Sequence, residues 1–386
     1  MASPRTVLIL TPSSRLLGAR RSLLALAESL DTTRWRAVVC SQDTGQLGEA
    51  LAERNIPMEV VKLGWWRKGK YFLWRPFAIS RLASLARRLK VDLIHCNEIY
   101  PNPYAVRAAR QVTGAAGTRR AGKPLPVITH IRLDIKPNMV PKYDLLRADR
   151  LVVPSAALAR DLADFDPDGG LIEVVHNGVN LEEFRRTRTR EVARLQVGLP
   201  PEGILLGAIG QVGPRKGGDI IMEAFERLAP KYPALRLLFL GDPHRGQEGF
   251  AANLRAWADK PPLAGRVHFV GFTPQVLPYY EACDINLLVS RQEGFGRTII
   301  EAGALGIPSI GARIGGIQEI IVDGVTGRLV PPENAGALAE ALEQMIDDEG
   351  LRRQMSEAAF RRAVQEFSIT AHTRRMMEIY DEVVEG

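Results

Sequence analysis

Short apolar runs alternate with longer segments of helical periodicity along most of the chain. The apolar runs are rich in Val, Ile and Leu, which is typical of buried strands. The first half contains predicted strands at 6–10, 36–40, 58–63, 91–96, 127–131, 151–154 and 172–175. The second half contains predicted strands at 204–209, 235–240, 267–270, 285–289 and 308–311. Helical patterns lie between most of them, for example at 18–30, 218–229 and 297–305.

This alternation predicts an α/β protein in which parallel sheets are covered by helices on both faces. A chain of 386 residues is long for a single core, so we expect two doubly wound domains. The polar and then Pro/Gly-rich stretch 185–203 predicts a linker between them. The last segment, 351–384, has a helical pattern rich in Arg and Glu.

From the composition we expect no membrane-spanning segment, no signal peptide and no disulfide framework. No run of eighteen apolar residues is present, and the first residues lead directly into a strand pattern without the features of a signal peptide. The three cysteines, Cys40, Cys96 and Cys283, lie far apart in apolar runs, so we expect buried thiols in a reducing, cytoplasmic environment. Residues 1–190 hold 31 Lys and Arg against 18 Asp and Glu, which predicts an anionic partner for the first half.

The stretch 292–306, QEGFGRTIIEAGALG, joins a predicted strand to a predicted helix through a glycine-rich bend. Free N–H groups and the positive helix end make such a bend an anion site. Glu293 lies in the bend and Glu301 lies about one turn into the helix. A central diphosphate flanked by sugar hydroxyls and a ribose would suit this layout, which therefore predicts a nucleotide-sugar site.

A second bend, GQVGPRKGG, follows the predicted strand 204–209 and brings Arg215 and Lys216 to the start of a predicted helix near Gly218. Two cations beside a helix N-terminus suit a phosphate group. A solvated turn is the ordinary interpretation of this motif alone. Its occurrence in the same domain as the Glu293 bend favours a phosphate site.

The chain resembles the family 4 retaining glycosyltransferases of the GT-B fold. The matching segments are VVHNGVNLEEF (174–184), GQVGPRKGG, RVHFVGF (266–272), EGFGRTIIEAGALGIPSI (293–310) and GGIQEIIVDGVTGRLVPPEN (315–334). Weaker matches are VITHIR (127–132) and RLVVPSAAL (150–158). The resemblance implies an acceptor-binding domain over 1–184, a donor-binding domain over 185–365 facing it across a cleft, and a C-terminal helix, 366–386, that returns to the first domain.

The resemblance also implies roles for individual residues. Lys216 would bind phosphate, Glu293 would accept bonds from donor-sugar hydroxyls, and His130 would contact the donor sugar. The family usually has an arginine where this chain has Gln211, so either Arg215 replaces it or one cation is missing. The implied donor-binding positions, with Glu301 on the ribose, are Gln211, Arg215, Gly294, Phe295, Gly296, Arg297, Thr298, Glu301 and Gly18.

The implied reaction transfers a hexose from a UDP- or GDP-sugar to a glycan or lipid-linked glycan, with retention and without a metal or cofactor. The leaving phosphate would help to deprotonate the acceptor hydroxyl. Asp166-Pro167-Asp168 has the spacing of a metal motif, but its polar, glycine-rich surroundings favour a turn. An inverting GT-B transferase, a phosphorylase and a catalytically silent nucleotide-sugar-binding relative are the alternatives, and a phosphorylase would need a pyridoxal-phosphate lysine that we do not find.

Residues 62–90, which begin with Lys62 and end with Lys90, contain nine basic and no acidic residues. Three of the five tryptophans, Trp65, Trp66 and Trp74, lie in this basic segment. One interpretation is an ordinary surface helix with a basic outer face. The other is a patch on an anionic membrane surface, with tryptophans at headgroup depth. No nucleic-acid-binding motif is present, so we expect no nucleic-acid partner.

Overall fold

The computed structural model describes residues 3–16, 18–112, 122–132 and 135–386. The chain forms two compact units. Unit one comprises Met1–Gly178 and Ile369–Gly386, and unit two comprises Val179–Ser368.

Unit one is built on a parallel sheet with the order β3-β2-β1-β4-β5-β6-β7. In its described part, the strands are β1 (Arg5–Leu10), β2 (Trp35–Ser41), β3 (Met58–Val60), β4 (Leu93–Cys96), β5 (Val127–His130), β6 (Arg150–Val153) and β7 (Ile172–Val174). The helices between them are α1 (Gly18–Ser29), α2 (Gly45–Ala52), α3 (Arg75–Arg88), α4 (Asn102–Ala109), α5 (Met139–Lys142) and α6 (Ala156–Asp161).

Unit two contains a second parallel sheet with the order β10-β9-β8-β11-β12-β13. Its strands are β8 (Leu205–Ile209), β9 (Arg236–Leu240), β10 (Val267–Val270), β11 (Ile285–Leu288), β12 (Ser309–Ala312) and β13 (Gly327–Val330). Its helices are α7 (Arg190–Gln196), α8 (Gly218–Leu228), α9 (Glu248–Ala258), α10 (Leu277–Ala282), α11 (Arg297–Ala304), α12 (Ile317–Ile320), α13 (Ala335–Asp347) and α14 (Glu349–Glu366).

The central strand β1 shows why the apolar runs become buried strands. Leu8 and Leu10 pack on the α3 and α4 side of the sheet. Val7 and Ile9 pack on the opposite side, with α1 and the last helix, α15 (Ile369–Glu385). Successive residues of a strand point to opposite faces of the sheet. Because helices cover both faces, the residues on each face are apolar, and the whole strand is a continuous apolar run. The predicted α/β fold with two doubly wound parallel sheets is therefore confirmed.

The C-terminal segment forms two helices, α14 and α15. The break falls at Phe367 and Ser368, where the Phe367 carbonyl accepts a hydrogen bond from the Val179 amide at 2.8 Å. Helix α15 belongs to unit one. There Tyr380 packs edge-on against Trp35, with 5.2 Å between ring centroids, and Asp381 pairs with Arg5 at 2.7 Å.

The predicted linker at 185–203 is wrong, because this segment is packed into unit two. Helix α7 lies within it, and Arg194 of this helix is buried. The Arg194 guanidinium pairs with the Asp284 carboxylate and donates to the Ala282 carbonyl at 3.0 Å. A buried arginine needs such partners. Because they lie far away in the sequence, the polar residues of 185–203 were wrongly expected to be exposed.

The three cysteines are buried and unpaired, as predicted. Burial raises the pKa of the Cys40, Cys96 and Cys283 thiols to about 12, so they stay protonated. No helix in the described ranges is both long and apolar enough to cross a membrane.

Candidate functional site

The candidate site lies at the centre of the sheet in unit two. From β8 the chain moves to β9 on one side, whereas β11 pairs with β8 on the other side. Parallel sheets bind ligands outside the carboxyl ends of strands where the strand order reverses. The GQVGPRKGG bend follows β8, and the bend that contains Glu293 follows β11. We call residues 213–217 the phosphate turn and residues 290–296 the Glu293 loop.

The phosphate turn is a single 3₁₀ turn, Pro214–Lys216, followed directly by α8. Gly217 joins the two with a φ of +69°, and a Cβ there would lie 2.3 Å from the Val289 carbonyl oxygen. Only glycine fits such a position. The tight junction therefore holds Lys216 beside the N-terminal end of α8, where the helix dipole favours an anion.

Lys216 and Glu293 form an ion pair that joins the two predicted motifs. The Lys216 ammonium lies 2.5 Å from a Glu293 carboxylate oxygen, and the Arg215 guanidinium lies 3.8 Å from the same oxygen. Arg215 also donates to the Gln292 carbonyl at 3.0 Å, whereas Gln211 is exposed. Two cations thus converge on one carboxylate, and an incoming phosphate would compete with Glu293 for them.

Arg291, which was not among the predicted site residues, holds the phosphate turn and the Glu293 loop together. Its guanidinium makes two bonds to the Asp219 carboxylate, at 2.9 and 2.8 Å, and one to the Pro214 carbonyl at 2.6 Å. These bonds to Asp219 raise the pKa of Arg291. A bidentate pair fixes geometry as well as charge. The available signal was the position of Arg291 one residue before the Glu293 motif.

The Glu293 loop ends at Gly296, which has a φ of +107° and starts α11. Phe295 is buried and packs edge-on against Phe367, with 5.9 Å between ring centroids. Thr298, the second residue of α11, has a buried hydroxyl oxygen without a hydrogen-bond partner among the described residues. That oxygen and the amides of the first helical turn are groups that a bound diphosphate would satisfy.

The loop is supported from the other side by two glycines of the GGIQE segment. A Cβ on Gly315 would lie 2.1 Å from the Glu293 carbonyl oxygen. A Cβ on Gly316 would lie 2.6 Å from the Gly294 carbonyl oxygen. The Glu293 loop is therefore packed backbone against backbone, which limits its movement.

Glu301 is held by two partners one turn into α11. The buried Tyr280 hydroxyl donates to its carboxylate at 2.7 Å, and the Arg297 guanidinium lies 3.0 Å away. Burial and the neighbouring carboxylate raise the pKa of Tyr280, so its hydroxyl remains a donor. No sequence motif indicates Tyr280, because its contact with Glu301 depends on the packing of α10 against α11.

Replacing Tyr280 with phenylalanine should weaken nucleotide binding. The lost bond to a carboxylate is worth about 1.5–3 kcal/mol, part of which is the orientation of Glu301. We expect the Kd for the nucleoside diphosphate of the predicted donor, UDP or GDP, measured by calorimetry, to rise roughly tenfold while turnover at saturating donor changes less. Tyr279→Phe on the same helix is the matched control. Equal nucleotide affinity in both variants would show that Tyr280 does not position Glu301.

Two predicted site residues lie in unit one. Gly18 is the first residue of α1, after the carboxyl end of β1, and is exposed. His130 ends β5 and is fully buried. Its ring stacks between His95, at 5.9 Å, and His372, at 6.0 Å. Neither ring nitrogen of His130 has a hydrogen-bond partner among the described residues. A contact of His130 with a donor sugar stays a prediction.

The buried histidines should make unit one sensitive to acid. Burial lowers the pKa of His95 to about 3 and holds the pKa of His130 well below its usual value of 6.5. Between pH 6.5 and 3 the unfolded chain therefore binds protons that the folded chain does not, and stability falls as pH falls. Each histidine contributes about 1.4 kcal/mol per pH unit, so we expect the free energy of unfolding to fall by about 2 kcal/mol from pH 6 to pH 5.

Denaturant unfolding at several pH values measures this slope. His130→Phe removes one titrating ring and should flatten the dependence, whereas the exposed His244→Phe should leave it unchanged. An unaltered slope in His130→Phe would contradict the assignment. The same variant tests the predicted sugar contact, since normal turnover would show that His130 has no chemical role.

The Asp166 motif is a turn, as predicted. Its carboxylate accepts hydrogen bonds from the amides of Gly170, Leu171 and Ile172 at 2.8–3.1 Å. Backbone hydrogen bonds of this kind account for the lowered pKa of Asp166, although burial opposes them. In the described ranges, no group of three or more His, Cys, Asp or Glu side chains is arranged to hold a metal ion.

Comparison with known proteins identifies two family models in tandem. The model of glycosyl transferases group 1 matches residues 189–362, and the model of glycosyltransferase family 4 matches residues 17–183. Similar curated proteins are D-inositol 3-phosphate glycosyltransferases. That of Streptomyces bingchenggensis is 31% identical over 62% of this chain and 54% of its own length. That of Mycolicibacterium smegmatis is 33% identical over 52% of this chain and 46% of its own length. The matched regions thus span about half of each relative.

Similar solved structures show the same fold. A Rickettsia africae glycosyltransferase matches with a TM-score of 0.85 and 24% identity over the full length of both chains. The Anabaena protein HepE, solved with UDP-glucose, matches with a TM-score of 0.78 and 23% identity over 98% of this chain and 99% of its own. The two parallel sheets correspond to the GT-B fold. With both family models matched in order along the sequence, the chain belongs to the group 1 glycosyltransferases of family 4.

Proposed function

We propose that this protein transfers a hexose from a nucleoside diphosphate sugar to a hydroxyl group of a glycan or lipid-linked glycan. The observation that carries the proposal is the convergence of Lys216, Arg215 and Glu293 where the strand order of unit two reverses. This arrangement offers cations and helix amides for a diphosphate, with carboxylates on both sides. The UDP-glucose in the HepE structure is consistent with a nucleoside diphosphate sugar as the donor.

The donor would lie along α11 and the Glu293 loop. Its diphosphate would replace Glu293 as the partner of Lys216, and Arg215 would supply the second cation where Gln211 is neutral. Glu293, released from Lys216, would accept hydrogen bonds from the sugar hydroxyls. Glu301, oriented by Tyr280, would hold the ribose. The unpartnered Thr298 hydroxyl would donate to a phosphate oxygen.

The proposed reaction breaks the bond between the anomeric carbon and the diphosphate, and the electron pair leaves on the phosphate oxygen. The acceptor oxygen forms a new bond to the anomeric carbon on the same face. Its proton passes to the departing phosphate, which acts as the base. Since negative charge grows on the phosphate in the transition state, the cations placed there lower the barrier most.

We propose that no divalent metal is needed, because Lys216, Arg215 and the helix ends already meet the phosphate charge. Thermal-shift measurements with UDP- and GDP-sugars would identify the donor, and donor hydrolysis with and without EDTA would test the metal. We expect one donor class to stabilise the chain and turnover to persist in EDTA. Proton NMR of the product distinguishes retention from inversion. Failure of every donor to bind would support a different function for this site.

We also propose that the basic segment contacts an anionic membrane surface, where a lipid-linked acceptor would be presented. Leu82 and Leu85 of α3 are buried. Phe72 and Leu73, just before α3, are exposed by 63% and 85%, and Phe77, in its first turn, is exposed by 66%. Large exposed apolar side chains among cations are typical of interfacial binding.

Vesicle co-sedimentation should show binding to phosphatidylglycerol vesicles but little to phosphatidylcholine vesicles. Each cation near the surface contributes about 1 kcal/mol, so 0.5 M salt should abolish most binding. Leu73→Ser with Phe77→Ser should reduce it about tenfold or more, because apolar insertion is lost. Phe360→Ser, which changes an exposed aromatic of unit two, is the control. Equal binding by all variants would contradict the proposed surface.

A further inference from the structure

We propose that a cavity in unit one binds a sugar ring carrying a phosphate group, as part of the acceptor. The inference rests on the proposed transferase function, and it names the chemistry of the acceptor. The cavity has a volume of about 180 Å³, and its aromatic wall consists of Trp65, Trp66, Tyr100, Tyr104 and Tyr143. We call it the aromatic cavity.

The aromatic cavity lies where a parallel sheet is expected to bind a ligand. The chain moves from β1 to β2 and β3 on one side, whereas β4 pairs with β1 on the other. Pro12 follows the carboxyl end of β1, Gln42 follows that of β2, and Tyr100 comes four residues after that of β4. All three line the cavity. The strand order of unit one therefore reverses at this site, as it does at the Glu293 site in unit two.

The wall is a connected set of aromatic rings. Trp65 packs edge-on against Tyr100 at 5.6 Å, Tyr100 against Tyr143 at 5.4 Å, and Trp66 against Tyr104 at 5.1 Å. A glycine turn makes the wall possible, because Gly64 has a φ of +70° and its Cβ would lie 2.8 Å from the Tyr71 ring. Rigid rings bury apolar area at a low entropic cost, which suits the C–H face of a pyranose.

The charge of the cavity favours an anion. Arg67 and Lys68 line it, and no acidic side chain does so among the described residues. The guanidinium groups of Arg75 and Arg107 lie over the Trp66 ring, at 4.4 and 4.5 Å from its centroid. Lys68 lies 6.0 Å from the Trp65 ring. The cations therefore surround the wall that a sugar would contact, and a phosphate on that sugar would reach Arg67 and Lys68.

Tyr104 supplies an independent indication of a ligand. The side chain is fully buried, and its hydroxyl has no hydrogen-bond partner among the described residues. A buried hydroxyl without a partner is costly, and a ligand hydroxyl or phosphate oxygen would satisfy it. Burial also raises the pKa of Tyr104, which keeps the hydroxyl protonated as a donor.

The size of the cavity limits what it binds. Sites for drug-sized ligands enclose about 300–1,000 Å³, so this cavity takes one portion of a larger acceptor. Trp65 belongs both to the wall and to the basic segment, whose exposed Phe72, Leu73 and Phe77 follow along the chain. The phosphorylated sugar therefore comes either from a soluble sugar phosphate or from a lipid-linked sugar, and the experiment separates the two.

Calorimetry on the full chain with a Lys216→Ala background tests the cavity without a contribution from the phosphate turn. The soluble probes are the 1- and 6-phosphates of glucose, mannose and galactose, with the free sugars as neutral controls. We expect at least one phosphate to bind and the matching free sugar to bind at least about tenfold more weakly, as expected for a lost charged bond. The lipid probe is a glycosyl polyprenyl phosphate in phosphatidylcholine vesicles, compared with vesicles lacking it.

Substitutions identify the cavity as the site. Tyr104→Phe should weaken binding about three- to tenfold, yet the free variant should melt no lower than its parent, since it loses an unsatisfied hydroxyl. Trp65→Ala and Lys68→Ala should each weaken binding about tenfold. Trp74→Ala and Lys70→Ala are matched controls, because both belong to the basic segment and neither lines the cavity.

Binding of the soluble phosphates that Tyr104→Phe weakens would support the inference with a soluble source. Binding of only the lipid probe, weakened by the same variant, would support it with a lipid source. Absence of binding to either probe, or binding that Trp65→Ala and Tyr104→Phe leave unchanged, would overturn it. Since this assay contains no donor, its failure is separate from failure of UDP-sugar turnover, which tests the transferase function.

Discussion

Replacing Lys216 with alanine should lower turnover of the nucleotide sugar by about two to three orders of magnitude. The ammonium group lies beside the N-terminus of α8, in a turn that Gly217 and the Arg291 bonds fix in place. No reorganisation is needed when charge grows on the leaving phosphate, and this preorganisation is the main source of the effect. Binding of UDP should weaken less, because Arg215 and the helix amides remain.

Steady-state turnover with the identified donor and UDP calorimetry measure the two effects. Lys231→Ala is a matched control, because Lys231 also belongs to unit two and pairs with a glutamate, Glu343, at 2.6 Å. Both variants should melt close to the parent chain, since partly exposed ion pairs contribute little to stability. Turnover of Lys216→Ala within a few-fold of the parent would remove Lys216 from the catalytic machinery.

The sequence predicted the strands of both sheets well, because parallel strands buried on both faces are nearly continuous apolar runs. β8, β9, β10 and β11 lie within one or two residues of their predicted positions. The strand β13 and the helix α13 were missed. Gly327–Val330 is short and begins with Gly-Arg, and its burial depends on pairing with β12.

The errors came from charged residues whose partners are distant in sequence. Arg194 and Asp284 are 90 residues apart, and only the fold shows that they pair inside unit two. The same reason explains why Arg291 and Tyr280 were missed. The Arg291 guanidinium donates to the Asp219 carboxylate, 72 residues away in the sequence. The Tyr280 hydroxyl, on α10, donates to the Glu301 carboxylate, on α11. Motifs identify the groups that would contact a ligand, whereas the groups that position them depend on tertiary packing.

The stack of His95, His130 and His372 illustrates the same limit. His130 follows a predicted strand, but the sequence pattern does not show that its ring meets those of His95 and His372. The parallel pairing of β4 and β5 brings the first two rings together, and α15 adds the third from the end of the chain. Burial keeps the His95 and His130 rings neutral, which motif spacing alone does not indicate.

Glutamine at position 293 should separate nucleotide binding from turnover. The Glu293 carboxylate pairs with the Lys216 ammonium at 2.5 Å, so a diphosphate would have to displace this carboxylate to bind the ammonium. Glu293→Gln keeps the shape of the side chain and removes this competition. We therefore expect UDP to bind at least as tightly as it binds to the parent chain, in contrast to Lys216→Ala.

Turnover should nevertheless fall by about a hundredfold, because an amide accepts sugar hydroxyl bonds more weakly than a carboxylate, and bonds to charged groups are worth about 1.5–3 kcal/mol each. The control is Glu343→Gln, which neutralises the corresponding glutamate of the Lys231 pair and should alter neither quantity. Calorimetry with UDP and turnover with the intact donor give the two numbers. Weaker UDP binding together with unchanged turnover would contradict the assignment of Glu293 to the donor sugar. It would indicate that Glu293 supports nucleotide binding instead.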